Sequence, residues 1–348
     1  MGIQISVIVF GLIFCYLAVV VFSPFLTVKA ENINRKPKDK RIPECRQSIS
    51  IPIDNTCISG WLYLPEDIVE PIPCVILSNG FCGTKDAVLE DYALRFANIG
   101  VAAITYDYRF FGESGGEPRQ LFNGVKQMED LRAVIDYARN QEKIDENRIV
   151  LWSTSAAGRY GIIIAAEDKK IAGVISQCPS LDHGKDDKLI LKREGIGYFL
   201  MLFIHAQRDK GRSRFGLSTH FIPAVGKPGS FALLNAPGAL EGYQSLMSES
   251  EHFINKICGR SMLMMQGPNV TKVAQNVECP VLILVCEKDT TVSPDSYKKV
   301  AEILGGKATV IKYPFGHFDI YKGENFDKAI ESQLSFLKRV IQERELTS

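Results

Sequence analysis

The sequence is short of net charge, of metal-binding patterns and of nucleotide-binding loops. Its 41 lysines and arginines face 40 aspartates and glutamates, leaving +1. No global basic field exists to draw in nucleic acid, and no nucleic-acid partner is expected. No CxxC is matched by a second CxxC or by HxxxH, there is no P-loop, and no GxGxxG follows a strand-like run. A structural metal, a nucleoside triphosphate and a dinucleotide are therefore not expected, and the chemistry predicted below needs no cofactor. The nine cysteines are odd in number. Cys74, Cys178 and Cys286 fall in or beside apolar runs, where a thiol serves as a small hydrophobe; disulfides among the others stay open.

The first 28 residues lack any charged side chain. From residue 5 to 28 they are almost wholly apolar, long enough as a helix to cross the roughly 30 Å of a bilayer core. A signal peptide has a basic start and an apolar run of about 7–15 residues, and this segment has neither. The flank that follows is basic: Lys29, Arg35, Lys36, Lys38, Lys40 and Arg41. The positive-inside rule then predicts a single-pass anchor with the rest of the chain on the cytosolic side. A cleavage-like Val28-Lys29-Ala30 and the sequon Asn269-Val270-Thr271 keep a secreted form as the alternative. The predicted organisation is an anchor or signal segment at 1–28, a polar linker at 29–46 and a folded domain at 47–345.

Within that domain, strand-like runs at 48–53, 57–64, 74–78, 101–107, 148–152, 172–177, 281–285 and 309–313 alternate with amphipathic stretches at 86–97, 125–140, 155–166, 294–304 and 325–343. Two early strands followed by repeated strand–helix units predict an α/β fold with a mostly parallel sheet flanked by helices. The alternation stops between about 181 and 277, too long for a plain loop, so an inserted helical cap is expected there. Its apolar run 196–204 is too short to span a bilayer; it packs in the cap, lines an acyl pocket or lies against the membrane. Asp107 and Arg109, after the fourth strand, are expected to pair and brace the sheet edge.

The segment from Ile149 to Gly158 is an apolar strand running into Ser153-Thr154-Ser155-Ala156-Ala157 and then a helix. A nucleophile elbow needs small residues around its serine, because the strand turns sharply into the helix. GxSxG is not matched, yet both replacements are small. A serine needs a base, and in this architecture the acid and then the histidine follow after late strands. Asp289 comes after 281–285, with Glu287 as the weaker alternative, and His317 comes after 309–313. The expected catalytic set is Ser155, Asp289 and His317. The oxyanion that develops in acyl transfer needs N–H donors, expected from Ala156 and from Phe81 in the glycine-bearing loop Asn79-Gly80-Phe81-Cys82-Gly83-Thr84.

That loop, the run from Asp107 to Gly116, the Ser155 elbow and Tyr313-Pro314-Phe315-Gly316-His317-Phe318-Asp319 resemble the α/β-hydrolase superfamily. The stretches Ile222 to Gly229, Ala236 to Ala239 and Gly242-Tyr243 are similar to the fungal polyketide transferases and their bacterial relatives. That resemblance implies a small-molecule ester or thioester substrate, in some members an acyl chain passed from a carrier to an alcohol. Asn79 stands where many hydrolases have histidine, and the elbow lacks both glycines. The reading is a serine hydrolase or acyltransferase working through an acyl-enzyme on Ser155. Its alternatives are a catalytically inactive, membrane-tethered binding protein of the same fold and a secreted esterase.

Overall fold

The computed structural model describes residues 11, 14–24, 26–34, 36, 42–66, 68 and 70–345. Ten strands form: β1 (Arg46–Ile53), β2 (Thr56–Tyr63), β3 (Ile72–Ser78), β4 (Ala102–Tyr106), β5 (Ile144–Thr154), β6 (Ile171–Gln177), β7 (Phe221–Ile222), β8 (Ile257–Cys258), β9 (Val281–Cys286) and β10 (Ala308–Tyr313). Eight of them make one sheet in the order β1-β2-β4-β3-β5-β6-β9-β10. The pairs β1·β2 and β2·β4 are antiparallel; every later neighbour is parallel. This is the mostly parallel α/β sheet expected from the alternating pattern, in the architecture that the α/β-hydrolase resemblance implies. Strands β3, β4, β6 and β9, and β5 from Ile149 onward, are buried almost throughout, which is why they read as continuous apolar runs rather than alternating ones.

The helices are α1 (Leu89–Ala97), α2 (Gly124–Arg139), α3 (Tyr160–Glu167), α4 (His183–Arg214), α5 (Ala239–Met247), α6 (Val270–Val273), α7 (Lys298–Leu304) and α8 (Gly323–Glu345). Helices α1 and α8 cover one face of the sheet, and α2, α3 and α7 the other. After β3 the chain adds β4 on one side and then β5 on the other. The strand order thus reverses between β3 and β5, and the crevice beyond their carboxyl ends is where such sheets bind ligands.

Between β6 and β9 lies an insert built from α4, α5, α6 and the small β7·β8 pair. Helix α4 is broken at Gly195, whose φ of +75° only glycine adopts easily. Beyond the break Tyr198, Phe199 and Leu202 turn toward the crevice, while Ile196, Leu200 and Phe203 are exposed.

The described part of the N-terminal segment gives the expected anchor no support. Among the described residues no helix is long and apolar enough to cross a membrane; residues 1–10, 12, 13 and 25 of the expected span lie outside them. The helical part Tyr16–Val21 ends at Phe22 and packs on α4. Val21 is fully buried, Tyr16 OH donates to the Gln207 carbonyl at 3.1 Å, and Arg208 Nη1 donates to the Val20 carbonyl at 2.7 Å. Gly211 makes the room, since a Cβ there would come 2.6 Å from Val21. The chain then runs over the insert without regular structure. Asn255 Nδ2 donates to the Glu31 carbonyl at 2.8 Å, the Asn34 N–H to Gln244 Oε1 at 2.9 Å, and the Lys36 N–H to the Ser248 carbonyl at 2.7 Å.

The expected Asp107–Arg109 pair does not form either. Arg109 reaches Asp130, Asp54 and Glu129. Asp107, fully buried, takes the Lys85 backbone N–H at 2.7 Å and Lys85 Nζ at 2.8 Å. Lys85 is itself buried and also meets Glu113. Gly112 is required beside them, because its Cβ would sit 2.2 Å from Asp107 Oδ2. Removing one partner of a buried pair costs about 3–5 kcal/mol. Asp107→Ala should lower stability by about that amount, read as a fall in the urea midpoint with unchanged slope.

Candidate active site

Strand β5 delivers Thr154 in extended conformation, and Ser155 then turns to φ +53°. A left-handed non-glycine residue costs on the order of 1–3 kcal/mol and persists only where its surroundings enforce it. The Ser155 carbonyl accepts from the N–H of Gly158 at 2.9 Å and of Ser180 at 3.0 Å. The space that GxSxG would provide comes from displaced glycines. A Cβ on Gly161 would lie 3.2 Å from Ser153 Oγ, and one on Gly158 would lie 2.4 Å from Pro179 Cβ. Gly80, after β3, passes so close that its Cβ would meet Ser155 Cβ at 3.0 Å. A 3₁₀ turn, Ser155–Ala157, precedes α3, so the α-helix starts later than position 155.

Ser155 Oγ lies 2.9 Å from His317 Nε2. His317 Nδ1 lies 2.5 Å from Asp289 Oδ2. The other Asp289 oxygen accepts the N–H groups of Thr291 at 2.7 Å and Val292 at 2.8 Å. The carboxylate is thus fixed by the turn that follows β9. Glu287 is exposed. Burial by itself disfavours the charged His317 ring, but the Asp289 carboxylate overrides it and the pKa is raised to about 9.

Phe81, Ala156, Ser155 and His317 line one cavity of 330 Å³, roofed by the insert through Tyr198, Phe199 and Leu202. Two residues not singled out as functional from the sequence support the Phe81 loop. Tyr243 of α5 donates its hydroxyl to the Phe81 carbonyl at 2.5 Å, and Lys85 ties the loop's far end to Asp107. A third, Arg159, lines the cavity one turn beyond Ser155. Neither a lysine after a glycine loop nor an arginine in a helix start carries a motif; their partners come from distant segments. Among the described residues no three His, Cys, Asp or Glu side chains cluster as a metal would need.

No family model matches the chain. The quorum-quenching protein AidA of Acinetobacter baumannii is 33% identical over 300 residues, spanning 86% of this chain and 97% of AidA. Polyketide transferase af380 of Aspergillus fumigatus is 25% identical, spanning 84% of this chain and 98% of its own length. The crystal structure of α/β hydrolase GrgF from Penicillium superposes with a TM-score of 0.70 at 24% identity, covering 86% of this chain and all of that one.

The elbow's dependence on close backbone approach is testable. Gly158→Ala drives a methyl into Pro179, an overpacking that costs about 1–3 kcal/mol. Its thermal midpoint should fall, and a serine-directed probe should react more slowly with it than with wild type at a temperature where both are folded.

Proposed function

The chain belongs to the α/β-hydrolase superfamily, with the fungal polyketide transferases and their bacterial relatives, and from that premise we propose that it is a serine-nucleophile hydrolase or acyltransferase acting on an ester or thioester. The observation that carries the reading is the line from Ser155 Oγ to His317 to Asp289, 2.9 Å and then 2.5 Å, ending in a largely apolar cavity. In the proposed cycle His317 Nε2 takes the Ser155 proton as Oγ attacks the carbonyl carbon. Asp289 holds the Nδ1–H tautomer and supports the imidazolium. The backbone N–H groups of Phe81 and Ala156 are assigned to the developing oxyanion. As the tetrahedral intermediate collapses, His317 returns the proton to the leaving oxygen or sulfur, and the acyl group stays on Ser155. Water or an alcohol, deprotonated by the same ring, then releases it. The insert is proposed as a cap that shields this acyl-enzyme and selects the acyl chain through Tyr198, Phe199 and Leu202.

The first test is fluorophosphonate labelling of the full chain. Wild type should label, and Ser155→Ala and His317→Ala should not. An unlabelled but folded wild type would favour the inactive binding protein instead.

The pH profile supplies a second. Only the neutral imidazole is a base, and the folded-state pKa is raised, so reactivity is suppressed below it and gained as pH climbs through it. The labelling rate should rise with a midpoint above the ordinary histidine value of about 6.5, toward the value of about 9 that Asp289 sustains. Asp289→Asn should move that midpoint down and slow labelling by about 10²–10⁴-fold. A wild-type midpoint at or below the ordinary value would contradict the assignment.

A further inference from the structure

Arg159 is 3% exposed and, among the described residues, is the only lysine or arginine lining the cavity that holds Ser155 and His317. Its guanidinium carries a permanent charge, and burying such a charge without a counterion is costly. Buried Lys85 meets two carboxylates and buried Arg109 meets three. Arg159 meets none among the described residues. Its Nη1 lies 2.5 Å from His183 Nε2, its Nη2 donates to the Met265 carbonyl at 2.9 Å, and its buried Nε has no partner. The Tyr160 ring at 5.5 Å gives partial relief. His183 supplies no charge: burial first, and then Arg159 itself, push it down to about 4.

Neither acid of the same cavity forms an ion pair with Arg159 among the described residues. Asp186 accepts from Ser180 Oγ at 2.6 Å and from the Ser293 N–H at 2.8 Å, and Asp187 is exposed. Arg208, also buried, differs in kind. It spends its donors on the Val20 and Val21 carbonyls and on His220, away from this cavity. What Arg159 lacks is an anion, and the cavity it lines is the one into which an acyl group on Ser155 would extend.

We propose that Arg159 receives a carboxylate carried on the acyl group itself, so that the preferred substrates are esters or thioesters of ω-carboxylated acyl chains. The proposal rests on Ser155 being the acylated residue. An apolar cavity on its own would favour the neutral chain of equal length, so a preference for the charged one is a specific signature of a buried cation.

The test uses 4-nitrophenyl monoesters of the dicarboxylic acids from glutarate to sebacate, each beside the isosteric ester ending in a methyl group. Wild type should favour the carboxylate over its isostere by about tenfold or more in kcat/KM for at least one length, the scale of a charged hydrogen bond. Arg159→Gln should abolish that preference, read as the ratio of the two kcat/KM values in the same protein, and Arg159→Lys should restore part of it. Wild type favouring the neutral ester at every length overturns the proposal. So does an Arg159→Gln protein that keeps the preference, or one that loses both substrates equally while still folded. Calorimetry of the free dicarboxylates against Ser155→Ala separates this from failure of the catalytic reading. Binding that disappears in the Ser155→Ala/Arg159→Gln double variant supports the anion site even if no ester is turned over. Absence of binding at every length overturns it even if esters are.

Discussion

Three stretches of backbone meet at Ser155 closer than side chains would allow, and the arrangement of the site follows from that crowding. The loop after β3 passes at Gly80, the turn after β6 presses Pro179 against Gly158, and Gly161 clears the space that Ser153 occupies. Ser155 is held at φ +53° by this packing and by two hydrogen bonds to its carbonyl, not by glycines on either side of it. The requirement behind GxSxG is room, and here the room is supplied from one turn later in the same helix start and from the opposite strand. A serine fixed in this way projects its hydroxyl toward the ends of β9 and β10, where the turns place Asp289 and His317.

Around that point the protein distributes buried charge unevenly. Lys85 and Asp107 neutralise each other and anchor the loop that carries Phe81. Asp289 raises the pKa of His317 and orients the ring through the contact at Nδ1. Among the described residues Arg159 is left without an acid. The first two are internally balanced and serve geometry; the third is the one lysine or arginine among the described residues of a largely apolar chamber. Residues that look equivalent in composition therefore play different parts, and only their surroundings distinguish them.

The sheet was legible from the sequence because its central parallel strands are covered on both faces and so appear as unbroken apolar runs, as with Val281 to Val285. Ser155, Asp289 and His317 could be picked out because the chain order of strands and polar turns carries the same information as the geometry. At the N-terminus hydropathy alone does not tell lipid from protein cover: Tyr16 and Val21 pack against Gln207 and Gly211 of the same chain. The Asp107–Arg109 pair was misread because proximity in sequence says nothing of direction, and the two side chains leave the strand end toward different partners. Arg159, Tyr243 and Lys85 had no local signature, since what defines them lies some 20 to 160 residues away.

The docking of the N-terminal segment bears on the order of events during synthesis. Its hydrogen bonds join Asn34 to Gln244 and Glu31 to Asn255, across separations of 210 and 224 residues. The segment leaves the ribosome ahead of its seat, which is completed only once Gln244 and Asn255 have followed. At about 5–20 residues per second, the apolar stretch spends on the order of ten seconds or more with nothing of its own to cover it. During that interval chaperones, membranes and other nascent chains compete for the surface that the finished insert will claim.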